Sequence, residues 1–376
     1  MTSQAERERR YAALSSAMAR DGLDALVICA RSEKTGRGRL RYVTDVDWAW
    51  GQGFCILPAQ GSPVLFSGPI WAIDAEAKWV GWVTDCRQGT QLGVDVGRAL
   101  REMGLGQGAL GLVGRDLIGL PEWQDLRATV PDADIRDGDA LFDRVRMVKS
   151  PEEIAALEET SRILRGGFET IEAHLAPGCS EREVIAHAQH YLAVAGCVDG
   201  LALIARTPFT AFRRPSGELV RGDEVVVVGL DYAGPSGYWC ELRRCYSFGA
   251  PPPEARDYWN LRVEVFEACR RVLRPGLSSD AVLEAKDKVC DGHDLPSQEI
   301  VTWSAHGIGL DVIERPIAPG LPESLAENMV LSLHPTIRLP DEAKPRIGRI
   351  AISDNVVVTE SGGRRLSDSA DQWVEL

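Results

Sequence analysis

The sequence predicts a mixed α/β chain of two domains, an α/β domain over residues 1–147 and an α+β domain over residues 148–376. Three observations carry this. At 376 residues the chain is longer than one ordinary core serves. Short apolar runs alternate with helical periodicity through the first part. Ser150-Pro151-Glu152-Glu153 then reads as a fresh helix start, with Ser150 as N-cap, Pro151 at the first helical position and Glu153 closing a capping box.

Taken in order, residues 4–21 carry helical spacing, and DALVICA is a short apolar strand. RYVTDVDWAW leads into GFCILPAQGSPVLF, two strands around a Gln-Gly turn. WVTDC, a helix near 93–103 and ALGLVG continue the alternation. A long helix follows Ser150. Leu175-Ala176-Pro177-Gly178 with Ser180 to Val184 is echoed by Leu273-Arg274-Pro275-Gly276 with Ser278 to Val282. Both copies follow an amphipathic helix and open another, so the second domain is expected to hold two similar halves with a site between them. EVVVVGLDYAG, a Pro-Ser-Gly turn and YWCELRRCYSFG form a hairpin, and SAHGIGLDVIERP, MVLSLHPTIRLP and RIAISDNVVVTESG are strand-like.

Composition narrows the function classes. Apolar residues at 44% and charged residues at 26% are ordinary for a soluble globular protein. A net charge of -13 argues against nucleic acid or an anionic membrane as partner. No apolar run reaches a membrane span, and the first residues read as an amphipathic helix, so a cytoplasmic location is expected. The nine cysteines show no C-x-x-C and fit free thiols.

RMVKSPEEI, the two L-x-P-G turns, the GYWCELRR hairpin, AHGIGLDVIERP, ENMVLSLHP and VVVTESGGRRLS together resemble the creatinase/aminopeptidase P/methionine aminopeptidase superfamily, over essentially the whole chain. The resemblance implies a creatinase-like N-terminal domain (1–147) and a pita-bread catalytic domain (148–376) with pseudo-twofold halves. The peptidases of that superfamily hold two divalent ions with two Asp, one His and two Glu. Here the first position is Leu230 or Asp231, the second is Glu241, the histidine is His306, and the two bridging glutamates fall on His334 and Ser353. The family's catalytic histidines fall on Ile313 and Arg213. The hairpin's Leu/Ile-Thr-Arg reads Leu242-Arg243-Arg244, and creatinase's glutamate before the arginine is Arg243.

With the bridging carboxylates replaced, the expectation is a creatinase-type enzyme without a dinuclear metal and without a cofactor, working on a small carboxylate or amino-acid-derived substrate. His306, His334 and Glu241 would carry acid–base chemistry, imidazole having a pKa of about 6.5. C–N hydrolysis, or related lyase or cyclisation chemistry, is the reaction implied. A single ion on Glu241, His306, His334 and Asp231 is chemically sensible too. Arg213, with Arg243, is expected to grip an anionic substrate, since guanidinium binds carboxylate bidentately. Asp231, Tyr238 and Ser353 complete the expected substrate-binding set. In the creatinase-like homodimer the segment of Trp48 and Trp50 reaches into the partner's site, so both are expected to wall the pocket in trans, with Gln52 beside them. A dinuclear metallo-aminopeptidase or Xaa-Pro dipeptidase, and a catalytically silent binding protein, are the alternatives.

Overall fold

The computed structural model describes residues 2–48, 51–68, 81–209, 211–293, 304–337, 347–367 and 373–376. The chain separates into two compact units, Met1–Met147 and Val148–Leu376.

In the first unit, helix α1 (Gln4–Asp21) begins where the Ser3 hydroxyl accepts from the Glu6 amide and ends on the left-handed Gly22. There follow β1 (Ala25–Arg31), α2 (Gly38–Thr44), β2 (Gln52–Pro58), β3 (Val64–Ser67), β4 (Asp85–Gln88), α3 (Leu92–Glu102), β5 (Ala109–Val113), α4 (Leu120–Thr129), β6 (Asp134–Asp137) and α5 (Asp139–Met147). The sheet runs β4-β3-β2-β1-β5-β6. β2 and β3 form the antiparallel hairpin expected around Gln60-Gly61, with Ile56 facing Val64. β1 pairs parallel with β5, and its unbroken buried run suits a strand covered on both faces. Residues 41–44, read as the approach to a strand, instead close α2. β6 is short and polar, so no apolar pattern announces it.

In the second unit, α6 (Pro151–His174) opens on the capping box read from the sequence. The Glu153 amide donates to Ser150 Oγ at 3.1 Å, and the Ser150 amide to Glu153 Oε2 at 2.9 Å. Next come α7 (Glu181–Val194), β7 (Asp199–Arg206), β8 (Val226–Ala233), β9 (Trp239–Ser247), α8 (Pro253–Arg271) and α9 (Asp280–Gly292). The chain continues through β10 (Ala305–Gly307), β11 (Pro316–Ile317), β12 (Val330–Leu333), β13 (Asp354–Val357), β14 (Arg364–Arg365) and β15 (Trp373–Glu375). They build two sheets, β15-β9-β8-β7 and β11-β10-β12-β13-β14.

The internal repeat is structural. Gly178 and Gly276, at φ 90° and 81°, occupy the left-handed region that glycine adopts without a Cβ clash. Each turn is tied down the same way. The Gly178 amide donates to the Val220 carbonyl and the Val220 amide to Cys179, while Gly276 donates to Leu325 and Leu325 to Leu277. Two helices and a sheet in each half are thereby positioned by equivalent turns. None of the helices among the described residues is long and apolar enough to cross a membrane.

Candidate active site

The β8–β9 hairpin sets the first wall of the site. In its register Asp231 faces Glu241 and Gly229 faces Arg243. Because side chains alternate across a strand, these four share one face, and Leu230 with Leu242 share the other. Asp231, not Leu230, therefore lies beside Glu241. Both carboxylates are buried, at 7% and 8% exposure. Like charges opposed in a low-dielectric site need a cation, and Arg243 supplies one: Nη1 pairs with Asp231, and Nη2 lies 3.1 Å from Glu241 Oε1.

The second wall comes from the other sheet. His306 stands on β10 and is 2% exposed, and His334 follows β12 directly. Their ring centroids are 5.0 Å apart. His306 Nδ1 lies 3.0 Å from the Gly307 carbonyl, an acceptor, so Nδ1 carries the proton. Nε2 then faces Glu241 Oε2, 3.4 Å away. A cation or a proton fits between the two atoms. Glu241, His306 and His334 each offer a ligand atom, and all three atoms lie within 4.8 Å of one another.

The electrostatics follow from this packing. Burial acts to raise the Glu241 pKa, but Arg243, His334 and His306 outweigh it and hold the carboxyl well below its ordinary range. Asp231 moves the opposite way, to about 6, through burial and the charge of Glu241 opposite, against the pull of Arg243. Burial pushes His334 down to about 4, so its imidazole is neutral at neutral pH.

Ser353, the second residue matched to a bridging glutamate, donates its hydroxyl to Glu241 Oε1 at 3.0 Å. It orients that carboxylate and lies within reach of Ser332 Oγ at 3.4 Å. The other residues expected at the substrate have partners within the chain. Arg213, expected to grip an anionic substrate, forks onto Glu181 instead, Nη1 to Oε2 and Nη2 to Oε1 at 2.7 Å each. Arg206 and Ser216 hold the same fully buried glutamate. The Arg213 backbone bridges to Ile204, which fixes the side chain over that network. The Tyr238 hydroxyl donates to Glu153 Oε1 at 2.8 Å, bracing the start of α6. Trp48 is buried at 4% exposure within the chain, with Nε1 3.3 Å from the Gly51 carbonyl. Trp50 lies outside the described residues.

Asn355 went unread in the sequence. On β13, two residues beyond Ser353 and on the same face, it accepts from the Glu241 amide at 3.3 Å and donates to the Glu241 carbonyl at 3.2 Å. The one available signal was its spacing from Ser353.

The profile of metallopeptidase family M24 matches residues 155–360, more than half of the chain. The chain belongs to this family. It is 31% identical over 227 residues to a probable dipeptidase, PepE, of Mycobacterium tuberculosis, spanning 58% of each chain. It is 25% identical over 238 residues to an Xaa-Pro dipeptidase of Pyrococcus furiosus, covering 61% of this chain and 65% of that one. The crystal structure of dipeptidase PepE from Mycobacterium ulcerans superposes with a TM-score of 0.82 at 23% identity, over 100% of this chain and 99% of the other, a likeness of fold.

These matches correct one expectation. The absence of bridging glutamates pointed to a metal-independent enzyme of small carboxylates, yet the M24 relatives are named dipeptidases and Xaa-Pro dipeptidases of a metallopeptidase family. The inference kept a single ion open, and it failed because it read the lost bridging carboxylates as the loss of peptidase chemistry. The donors that remain, one carboxylate and two imidazoles converging on a point, suit a Zn- or Fe-class ion. They do not suit the two-ion centre of the superfamily. Two divalent ions about 4 Å apart repel by roughly 16 kcal/mol at an effective dielectric near 20, and His334 and Ser353 bring no negative charge between them.

Proposed function

We propose that this M24 chain is a metal-dependent hydrolase of dipeptide-class substrates, its ion held by Glu241, His306 and His334. The observation that carries the reading is the convergence of those three donor atoms, with His306 Nε2 turned toward the Glu241 carboxylate. The names of the PepE and Xaa-Pro dipeptidase relatives support the substrate class.

An ion there would supply Lewis acidity toward a peptide carbonyl or a water. The chain's own residues prepare the place. Arg243 beside it keeps Glu241 ionised at neutral pH, and Ser353 fixes one of its oxygens so that the other turns to His306. His334 stays neutral, which leaves a lone pair for a ligand bond or for a proton. The Gly307 carbonyl locks the His306 tautomer. A homodimer belongs to the same reading, on the resemblance of the N-terminal unit to creatinase-like dimers.

The test is a panel of free dipeptides, Xaa-Pro dipeptides among them, run beside tripeptides and N-acetylated dipeptides with mass-spectrometric detection. Cleavage of free dipeptides is expected. Intact dipeptides across the panel, at enzyme concentrations that cleave them with a known dipeptidase, would sink the proposal.

A further inference from the structure

The superfamily's hairpin carries its two carboxylates to hold a pair of cations, and this chain keeps two carboxylates there, Asp231 and Glu241. We infer that the Arg243 guanidinium is a built-in replacement for the second cation, so that the site is left with carboxylate charge for a single ion. The inference rests on the single-ion reading above and deepens it.

Three observations on the hairpin carry it. First, one guanidinium spans both carboxylates. Nη1 pairs with Asp231 Oδ1, Nη2 sits 3.3 Å from Asp231 Oδ2, and Nη2 also lies 3.1 Å from Glu241 Oε1. Bridging two buried carboxylates is the task of a cation, and a planar fork with fixed donors does it without a coordination sphere.

Second, the strand opposite is shaped to receive it. A Cβ on Gly229 would stand 2.7 Å from Arg243 Nε and 2.8 Å from its Cδ and Cζ. Any side chain at 229 would lift the arginine off the hairpin face. The Phe212 ring, 5.3 Å from the Arg243 guanidinium carbon, faces the group as well.

Third, the carboxylates suffice for one ion only. Asp231 and Glu241 share the hairpin face, and the Arg243 guanidinium already spans them. A second divalent ion would find no further carboxylate among the described residues of the cluster. Position 243 is also where the hairpin of the superfamily's peptidases carries threonine, a residue that brings no charge.

The experiment is a titration of the metal-free full chain with Mn²⁺ and with Co²⁺, counting bound ions by calorimetry and by elemental analysis. The wild type is expected to bind one ion. Arg243→Thr, which restores the uncharged residue and frees Asp231, is expected to bind a second ion or to bind the first at least tenfold more tightly. Arg243→Lys keeps the charge and is expected to stay at one. If Arg243→Thr does not fold without metal, added Mn²⁺ is expected to restore its circular dichroism, the ion taking over from the guanidinium. Two ions in the wild type, a second ion in Arg243→Lys, ion binding in Arg243→Thr no different from the wild type, or a variant that millimolar metal leaves unfolded would each overturn the inference. A wild type that binds none while Arg243→Thr binds one would uphold the guanidinium as a cation's replacement but remove the single-ion hydrolase reading and the single-ion part of the inference with it.

Discussion

The side-chain amide of Asn355 makes two hydrogen bonds to the backbone of Glu241, taking its N–H at 3.3 Å and reaching its carbonyl at 3.2 Å. A residue of β13 thus completes a residue of β9, so the two sheets of the catalytic unit meet at the very carboxylate that faces His306. Asn355 is fully buried, and water cannot take its place cheaply. Asn355→Ala is expected to lower stability by about 2–4 kcal/mol, since two buried backbone groups lose a partner. Urea unfolding checks it. A loss under about 0.5 kcal/mol, the size of an ordinary surface change, would show that the contact does not pin the strand.

Arg213 has the opposite standing. Its fork is committed to Glu181, which Arg206 and Ser216 also hold, and its side chain is 31% exposed. Burial works to raise the Glu181 pKa, and those partners together bring it below its ordinary value. Arg213→Met is expected to cost about 1–2 kcal/mol of stability, Arg206 and Ser216 remaining in place. KM for a dipeptide should stay within twofold. A KM raised tenfold or more with stability unchanged would return Arg213 to the substrate.

Asp354 gives a pH signature. It lies fully buried on β13, accepting from Ser367 Oγ and the Asn355 amide, and burial pushes its carboxyl up to about 7. A folded pKa above the unfolded one means that folding favours the protonated form. Its contribution is complete below the ordinary carboxyl range, near 4, and is lost as pH rises through 7. Asp354→Asn is therefore expected to gain on the wild type between pH 5 and pH 8, by roughly 2 kcal/mol or more at the upper end. Melting temperatures across that range read it out. A difference that stays flat with pH would mean that the carboxyl is satisfied as the anion.

How much of this was legible follows from the kind of signal each residue leaves. The capping box at Ser150 and Glu153 is local, with both partners three residues apart, and the sequence displays it whole. The hairpin of β8 and β9 is nearly as local, so the facing of Asp231 and Glu241 was within one residue of being read. The two L-x-P-G turns were visible as a repeat, but their partners Val220 and Leu325 lie tens of residues away and carry no motif. The site divides the same way. Glu241, His306 and His334 could be found by matching a family pattern. That Arg213 would turn to Glu181, 32 residues away, could not, because nothing local marks Glu181 as buried. Nor could Asn355 be found, whose role exists only where two sheets meet.

Assembly is a separate expectation. The creatinase-like N-terminal unit predicts a homodimer, with a mass by light scattering twice that of the 41.1 kDa chain at micromolar concentration. A single-chain mass throughout that range would exclude it.

Whether Glu241, His306 and His334 hold a working ion is open to a direct test. The direct measurement is hydrolysis of a free dipeptide by the wild type and His334→Ala, before chelation, after it and after Mn²⁺ is returned, with bound ions counted in the same samples. One ion per wild-type chain is expected, with hydrolysis lost on chelation and regained with metal. His334→Ala should bind the ion at least tenfold more weakly and turn over at least a hundredfold more slowly. Hydrolysis that survives full removal of the ion, or that His334→Ala leaves intact, would contradict the account.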